Sequence, residues 1–154
     1  MMDAIVATGA QREFIAFRVG AQEFCIDIMS VREIRGWTPA TALPHAPSYV
    51  RGVINLRGSV LPIFDLAERL GFAAIDASAR QVIIVVQVGS QIIGLLVDAV
   101  SDILTLSAET IQATPGVATH VVRNFVSGML AIDGRMIGLV ELDGIMAAEA
   151  EEAA

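Results

Sequence analysis

Side chains able to do chemistry are few in this chain, and their spacing decides what they can do. His45 stands between Pro44 and Ala46, and His120 lies within Thr119-His120-Val121; each reads as a loop or partly buried residue with local hydrogen bonds. A single cysteine, with no HxxxH, HExxH or CxxC spacing anywhere, leaves a zinc site short of ligands. There is no GxxxxGK[ST], and Gly20 and Gly89 read as hairpin-turn glycines, so no glycine loop opens a helix to cradle phosphate. Asp65 with Glu68 imitates an acid and base pair. Asp65 follows an apolar strand, however, and its better account is a helix N-cap or first-turn charge. Catalysis needs a nucleophile with a base, a metal cluster or a phosphate loop. The expectation is a protein with no catalytic residue, no metal and no cofactor.

Arg57 is the polar residue that stands out, and an internal repeat singles it out. Residues 49–70 (YVRGVINLRGSVLPIFDLAERL) align without a gap with 125–146 (FVSGMLAIDGRMIGLVELDGIM) at an offset of 76, placing Gly52 on Gly128, Gly58 on Gly134 and Asp65 on Glu141. Residues 14–34 align with 83–103 at an offset of 69, placing Gly20 on Gly89, Val31 on Val100, Glu33 on Asp102 and Ile34 on Ile103. The chain is two copies of one unit, about 14–70 and 83–146, with seven extra residues (76 − 69) falling in the loop region 107–119 of the second. Residues matched in both copies serve the fold, whereas a sharp difference marks a candidate for function. Arg57 falls opposite Asp133, a reversal of charge beside the same turn glycine. The plainer account, that a hairpin turn accepts any polar residue, stands beside the functional one.

The elements that position these residues read as β. Runs 13–19 and 22–27 flank Gly20-Ala21, and 51–56 and 59–64 flank Arg57-Gly58; each is strand, short turn, strand. Ile28, Val31 and Ile34 sit at helical spacing, predicting about two turns of helix over 28–34, with an irregular strand as the alternative. Pro39, Pro44 and Pro47 mark an extended connection through 37–48. Four or five short strands in about 60 residues make a small barrel of the SH3 kind. One such barrel buries too little surface to be robust. The predicted fold is all-β: two SH3-like five-stranded barrels with short helices, forming one domain over 13–146, with strand exchange between the barrels left open. Residues 1–12 and 147–154 are expected to be flexible termini, the latter an acidic, alanine-rich helix end.

Composition narrows the function classes. Hydrophobic residues make up 55 % of 154, with a mean hydropathy of +0.65. Even so, the least charged stretch, 81–97, is interrupted by Val88-Gly89-Ser90-Gln91. That is a buried hairpin and falls short of the about 20 apolar residues of a membrane span. The first residues show neither the basic region nor the apolar core of a signal peptide. A net charge of −7, with ten arginines as the only cations, argues against nucleic acid, which requires a basic footprint. Cys25, within Phe24-Cys25-Ile26, reads as a small buried side chain in a reducing cytoplasm.

Asn55-Leu56-Arg57-Gly58, within GVINLRGSVLPIFDL, closely resembles the signature of the CheW family of chemotaxis coupling proteins. The similarity extends through Asp27-Ile28, VREIRG at 31–36, GLLVDAV at 94–100 and 125–128, covering about residues 13–146. It implies two SH3-like barrels, no catalysis, and a scaffold joining the cytoplasmic tip of a chemoreceptor to the regulatory domain of the histidine kinase CheA. That kinase domain shares the fold, but no kinase, phosphotransfer or receiver segment is present here. The resemblance places receptor binding at Val31, Glu33 and Arg57, with Ile83, Val100 and Ile103 lining a groove between the barrels. It places kinase binding in the loop 111–118, at Gln112 and Val117, where the family more usually has an arginine and an aromatic. Glu33 is also a potential partner of Arg57 or Arg35. The implied location is the cytoplasm, recruited to membrane-associated arrays without membrane insertion. Two other readings remain: an adaptor of a non-chemotaxis array, and an oligonucleotide-binding β-barrel. The second needs aromatics on a basic strand face, whereas the aromatics here sit mostly in apolar strands.

Overall fold

The computed structural model describes residues 11–73, 80–113 and 125–146. Turn chemistry sets the local pieces. β1 (Gln11–Val19) and β2 (Gln22–Asp27) meet at Gly20-Ala21, and β6 (Val82–Val88) and β7 (Gln91–Val97) meet at Gly89-Ser90. Gly20 and Gly89 share a φ of 62°, as the first position of a II′ turn requires. The hairpins β4 (Val50–Leu56) with β5 (Ser59–Asp65), and β10 (Val126–Ile132) with β11 (Arg135–Val140), turn at Arg57-Gly58 and Asp133-Gly134. Both residues of each of these turns have positive φ, the type I′ pattern whose twist suits a hairpin.

The 28–34 segment is a correction to the helical expectation. A 3₁₀ turn covers Ile28–Ser30, and β3 (Val31–Gly36) follows at once. Val31, Glu33 and Arg35 are half-buried while Arg32, Ile34 and Gly36 are exposed, a period of two. The ladder to β6, which sets Glu33 opposite Val85, Ile34 opposite Ile84 and Arg35 opposite Ile83, outweighs the local spacing.

β8 (Ala99–Ser107) and β9 (Gln112–Ala113) complete the strands, which form two sheets. One has five strands in the order β3-β6-β7-β5-β4, the other six in the order β8-β1-β2-β11-β10-β9. Under the repeat, β3, β6, β7, β5 and β4 correspond to β8, β1, β2, β11 and β10. The orders are therefore the same, but each first hairpin lies in the sheet of the other copy. Register follows the duplication too. The parallel pair Ile63↔Gly94 becomes Leu139↔Cys25, displaced by 76 on one strand (139 − 63) and by 69 on the other (94 − 25). A bulge recurs between Val50 and Gly52 and between Val126 and Gly128. The amide of Asp65 donates to Tyr49 O and that of Glu141 to Phe125 O, each at 2.7 Å. The protein is thus all-β, with two SH3-like barrels.

One compact unit comprises Phe17–Ala21 and Ser30–Val100; the other is drawn from Met1–Ala16, Gln22–Met29 and Ser101–Ala154 as far as these are described. In the first, Ile63 and Ile83 crowd over Gly94, where an added Cβ would lie 2.6 and 2.8 Å from their side chains. In the second, Phe14, Ala16, Cys25, Leu104, Leu130 and Ile137 form the core. Each fully buried Phe, Leu or Ile contributes roughly 1.5–3 kcal/mol. The 81–97 stretch is the β6–β7 hairpin, and no helix among the described residues is long and apolar enough to cross a membrane.

Asp65 is fully buried and belongs to the framework. Its Oδ1 accepts the Glu68 amide at 3.1 Å, capping helix α1 (Leu66–Arg69), while Oδ2 accepts from Arg51 Nη2 at 2.8 Å and Nε at 3.2 Å. Cys25 is fully buried, and loss of hydration pushes its thiol up to about 12. At pH 8 a disulfide-exchange reagent therefore leaves the folded protein unmodified and titrates one thiol after unfolding in guanidinium. Rapid labelling of the native protein contradicts this burial.

Candidate functional site

Arg57 sits at the tip of the β4–β5 hairpin with φ of 52°, a left-handed conformation that an arginine adopts at a cost. Two contacts hold it. Asn55 Oδ1 accepts the Gly58 amide at 2.8 Å, and Arg57 Nη2 donates to Glu33 Oε1 at 2.6 Å. Glu33 lies on β3 and Arg57 at the end of β4, and these strands stand at the two edges of the five-stranded sheet. Their ion pair joins them because the sheet curls round to bring its edges together.

β3 gathers more charge at the same place. Arg35 Nη1 donates to Glu33 Oε2 at 3.2 Å, while Arg32 donates through Nε, at 2.8 Å, and through Nη2 to the neutral Gln87 Oε1. The hydrogen bond from Arg57, followed by the charge of the two arginines, holds the Glu33 carboxyl below the usual carboxylate range against some loss of hydration. Two guanidinium groups on one carboxylate leave this cluster with a net positive charge in a protein of net charge −7. The Arg57 side chain is 71 % exposed, so most of its donor fork faces solvent even while Glu33 holds one nitrogen.

The other barrel solves the same closure with a displaced cation. Arg135 Nη2 donates to Glu23 Oε2 at 2.6 Å and Asp102 Oδ1 at 3.1 Å. Asp102 is the repeat counterpart of Glu33, but the arginine stands two residues beyond Asp133, the counterpart of Arg57. The Arg135 hydrogen bond holds Asp102 below its usual range. A carboxylate depressed in the folded state contributes stability above its unfolded pKa and loses it as the pH falls through the folded one. Arg135→Gln is therefore expected to cost on the order of 1 kcal/mol at pH 7, because the pair is partly exposed, and progressively less below pH 4. Urea unfolding at pH 7 and pH 3 measures this, and an equal loss at both would contradict it.

The remaining expected positions are spread over the two units. Val31 and Val100 are half-buried, and Ile103 is exposed. Ile83, expected to line the groove, is instead fully buried in the core, as the partner of Arg35 on the neighbouring strand β6. Gln112 is exposed on β9, beside Met129 of β10. Val117 and His120 lie outside the described residues. His45 is exposed, with a φ of 61°. Among the described residues no group of three or more His, Cys, Asp or Glu could hold a metal ion. Sequence reasoning missed Asn55 and Arg135. An acceptor three residues before Gly58, and an arginine displaced in the second copy, were the available signals.

An exposed cation on a hydrogen-bonded turn tip suits recognition. The CheW-like domain profile matches residues 13–150. The chain belongs to the CheW family. It is similar to the chemotaxis protein CheW of Rhizobium meliloti (strain 1021), at 63 % identity over 96 % of this chain and 95 % of that one. The CheW of Klebsiella aerogenes is 36 % identical over 90 % and 83 % of the two chains. Among solved structures, the scaffolding protein TtCheW of Thermoanaerobacter tengcongensis superposes with a TM-score of 0.78 at 30 % identity, covering 84 % of this chain and 88 % of that one. The protein is accordingly a chemotaxis adaptor and scaffold, and its CheW relatives are not enzymes.

Proposed function

We propose that this protein joins the cytoplasmic tip of a chemoreceptor to the regulatory domain of the histidine kinase CheA, in the cytoplasm at membrane-associated arrays, and adds no catalytic step of its own. The observation that carries this reading is Arg57. It is exposed on a turn whose conformation is unfavourable for arginine, at a position where the other copy of the fold has Asp133. The fold tolerates an acid there, so the arginine serves recognition. Val31, Glu33 and Val100 belong to the same unit as Arg57 and join it in the receptor-binding set; Ile103 is a separate receptor contact, and Ile83 supports β3 from within the core. Gln112 and Val117 make the kinase contact.

Co-sedimentation tests the coupling. Receptor-bearing membranes, kinase and this protein are mixed, and each is left out in turn. Kinase pellets with receptor, and its autophosphorylation responds to receptor, only when this protein is present. Kinase that pellets equally well without it would refute the proposal.

A further inference from the structure

We infer that Asn55 is a positioning residue for Arg57: its side chain holds the turn that aims the guanidinium. In a two-residue hairpin the flanking residues pair with each other, here Leu56 with Ser59, and the amide of the second turn residue is left without a ladder partner. Asn55 Oδ1 takes that amide, Gly58 N–H, at 2.8 Å. Closing this link locks the residues between Asn55 and Gly58, including Arg57 at its φ of 52°.

The duplication shows what the link is for. At the matching turn, Ala131 replaces Asn55 and has no side-chain acceptor to offer. That turn also has two positive φ values, 50° and 77°, but carries Asp133, a residue that visits the left-handed region readily because its short side chain hydrogen-bonds locally. The copy with a residue suited to the turn lacks the brace, and the copy with an arginine has it. Asn55 thus offsets the cost of placing a long cation where the backbone would favour Asp, Asn or Gly.

This inference rests on the receptor-binding reading of Arg57, and the test separates the two. Asn55→Ala, Asn55→Asp, Arg57→Asp and the double variant Asn55→Ala/Arg57→Asp are compared as full-length proteins, well below their melting temperatures. The readouts are Gly58 amide exchange by NMR and affinity for a soluble cytoplasmic fragment of a chemoreceptor. Asn55→Ala is expected to speed Gly58 exchange and to weaken binding on the order of tenfold, the scale of a left-handed penalty for a residue with a Cβ. Asn55→Asp keeps the acceptor and restores most of both. In the Arg57→Asp background Asn55→Ala causes no further loss of affinity, because no arginine remains to be aimed. Unchanged Gly58 exchange in Asn55→Ala, or additive losses in the double variant, would overturn the positioning role even if Arg57 binds receptor. Full receptor affinity in Arg57→Asp would instead overturn the reading on which it rests.

Discussion

Arg57→Asp lowers affinity for the receptor fragment by about 2 kcal/mol or more, the loss typical when one partner of a charge pair buried on binding is replaced. The guanidinium presents a planar fork of donors, and the substitution removes those donors and adds a like charge facing any carboxylate on the partner. Folding is expected to survive, with the melting temperature within about 3 °C of wild type, because the residue is exposed and the hairpin accommodates Asp in its other copy. The competing account makes the bond to Glu33 structural: Arg57 closes the barrel and nothing more. Calorimetry and binding on the same sample separate the two. A large drop in melting temperature with unchanged affinity in the folded fraction would favour barrel closure and sink the recognition role.

Gly52→Ala is expected to destabilise the protein by about 3 kcal/mol or more, lowering the melting temperature by roughly 6–12 °C. Gly52 has a φ of 138°, which L side chains rarely adopt. A Cβ there would also drive into the Thr41 carbonyl, lying 2.7 Å from its carbon and closer still to its oxygen. Backbone cannot rotate away as a side-chain tip can. The carbonyl is itself committed, since Thr41 and Val53 exchange two hydrogen bonds of 2.8 Å that pin the 37–48 connection to the edge of β4. Gly128 plays the same part in the other barrel, where an added Cβ would lie 2.9 Å from Gln112 O of β9. Gly58→Ala is the control. It has a positive φ but open space around it, so only the backbone cost of about 1 kcal/mol is expected. Equal melting points for the two variants would show that crowding at Thr41 is not what demands the glycine.

Much of this was legible in the chain itself, because it depends on neighbours in sequence. Gly20, Gly89, Gly58 and Gly134 announce their hairpins through turn chemistry, and the repeat relates the four hairpins pairwise. Asp65 reads as a cap from the helix that follows it, and the contrast of Arg57 with Asp133 marks the residue proposed for recognition. The NLRG signature and the length it spans were enough to point to the family.

Tertiary structure decided what long-range pairing controls. Hairpins β1–β2 and β6–β7 present equivalent edges, so nothing in their residues says which copy each must join; only the folded sheets reveal the exchange. Residues 28–34 carry a helical spacing, but β6 supplies a ladder partner and a strand results. Glu33 had two arginines within reach by charge alone and takes both, Arg35 from its own strand and Arg57 through closure of the barrel. Arg135 was invisible because the repeat points to Asp133, whereas the carboxylates it serves come from elsewhere: Glu23 from β2, the strand paired with β11, and Asp102 from the edge strand β8, which meets it only when the sheet curls. Local rules describe a residue's own conformation, but the identity of its partner is a property of the closed barrel.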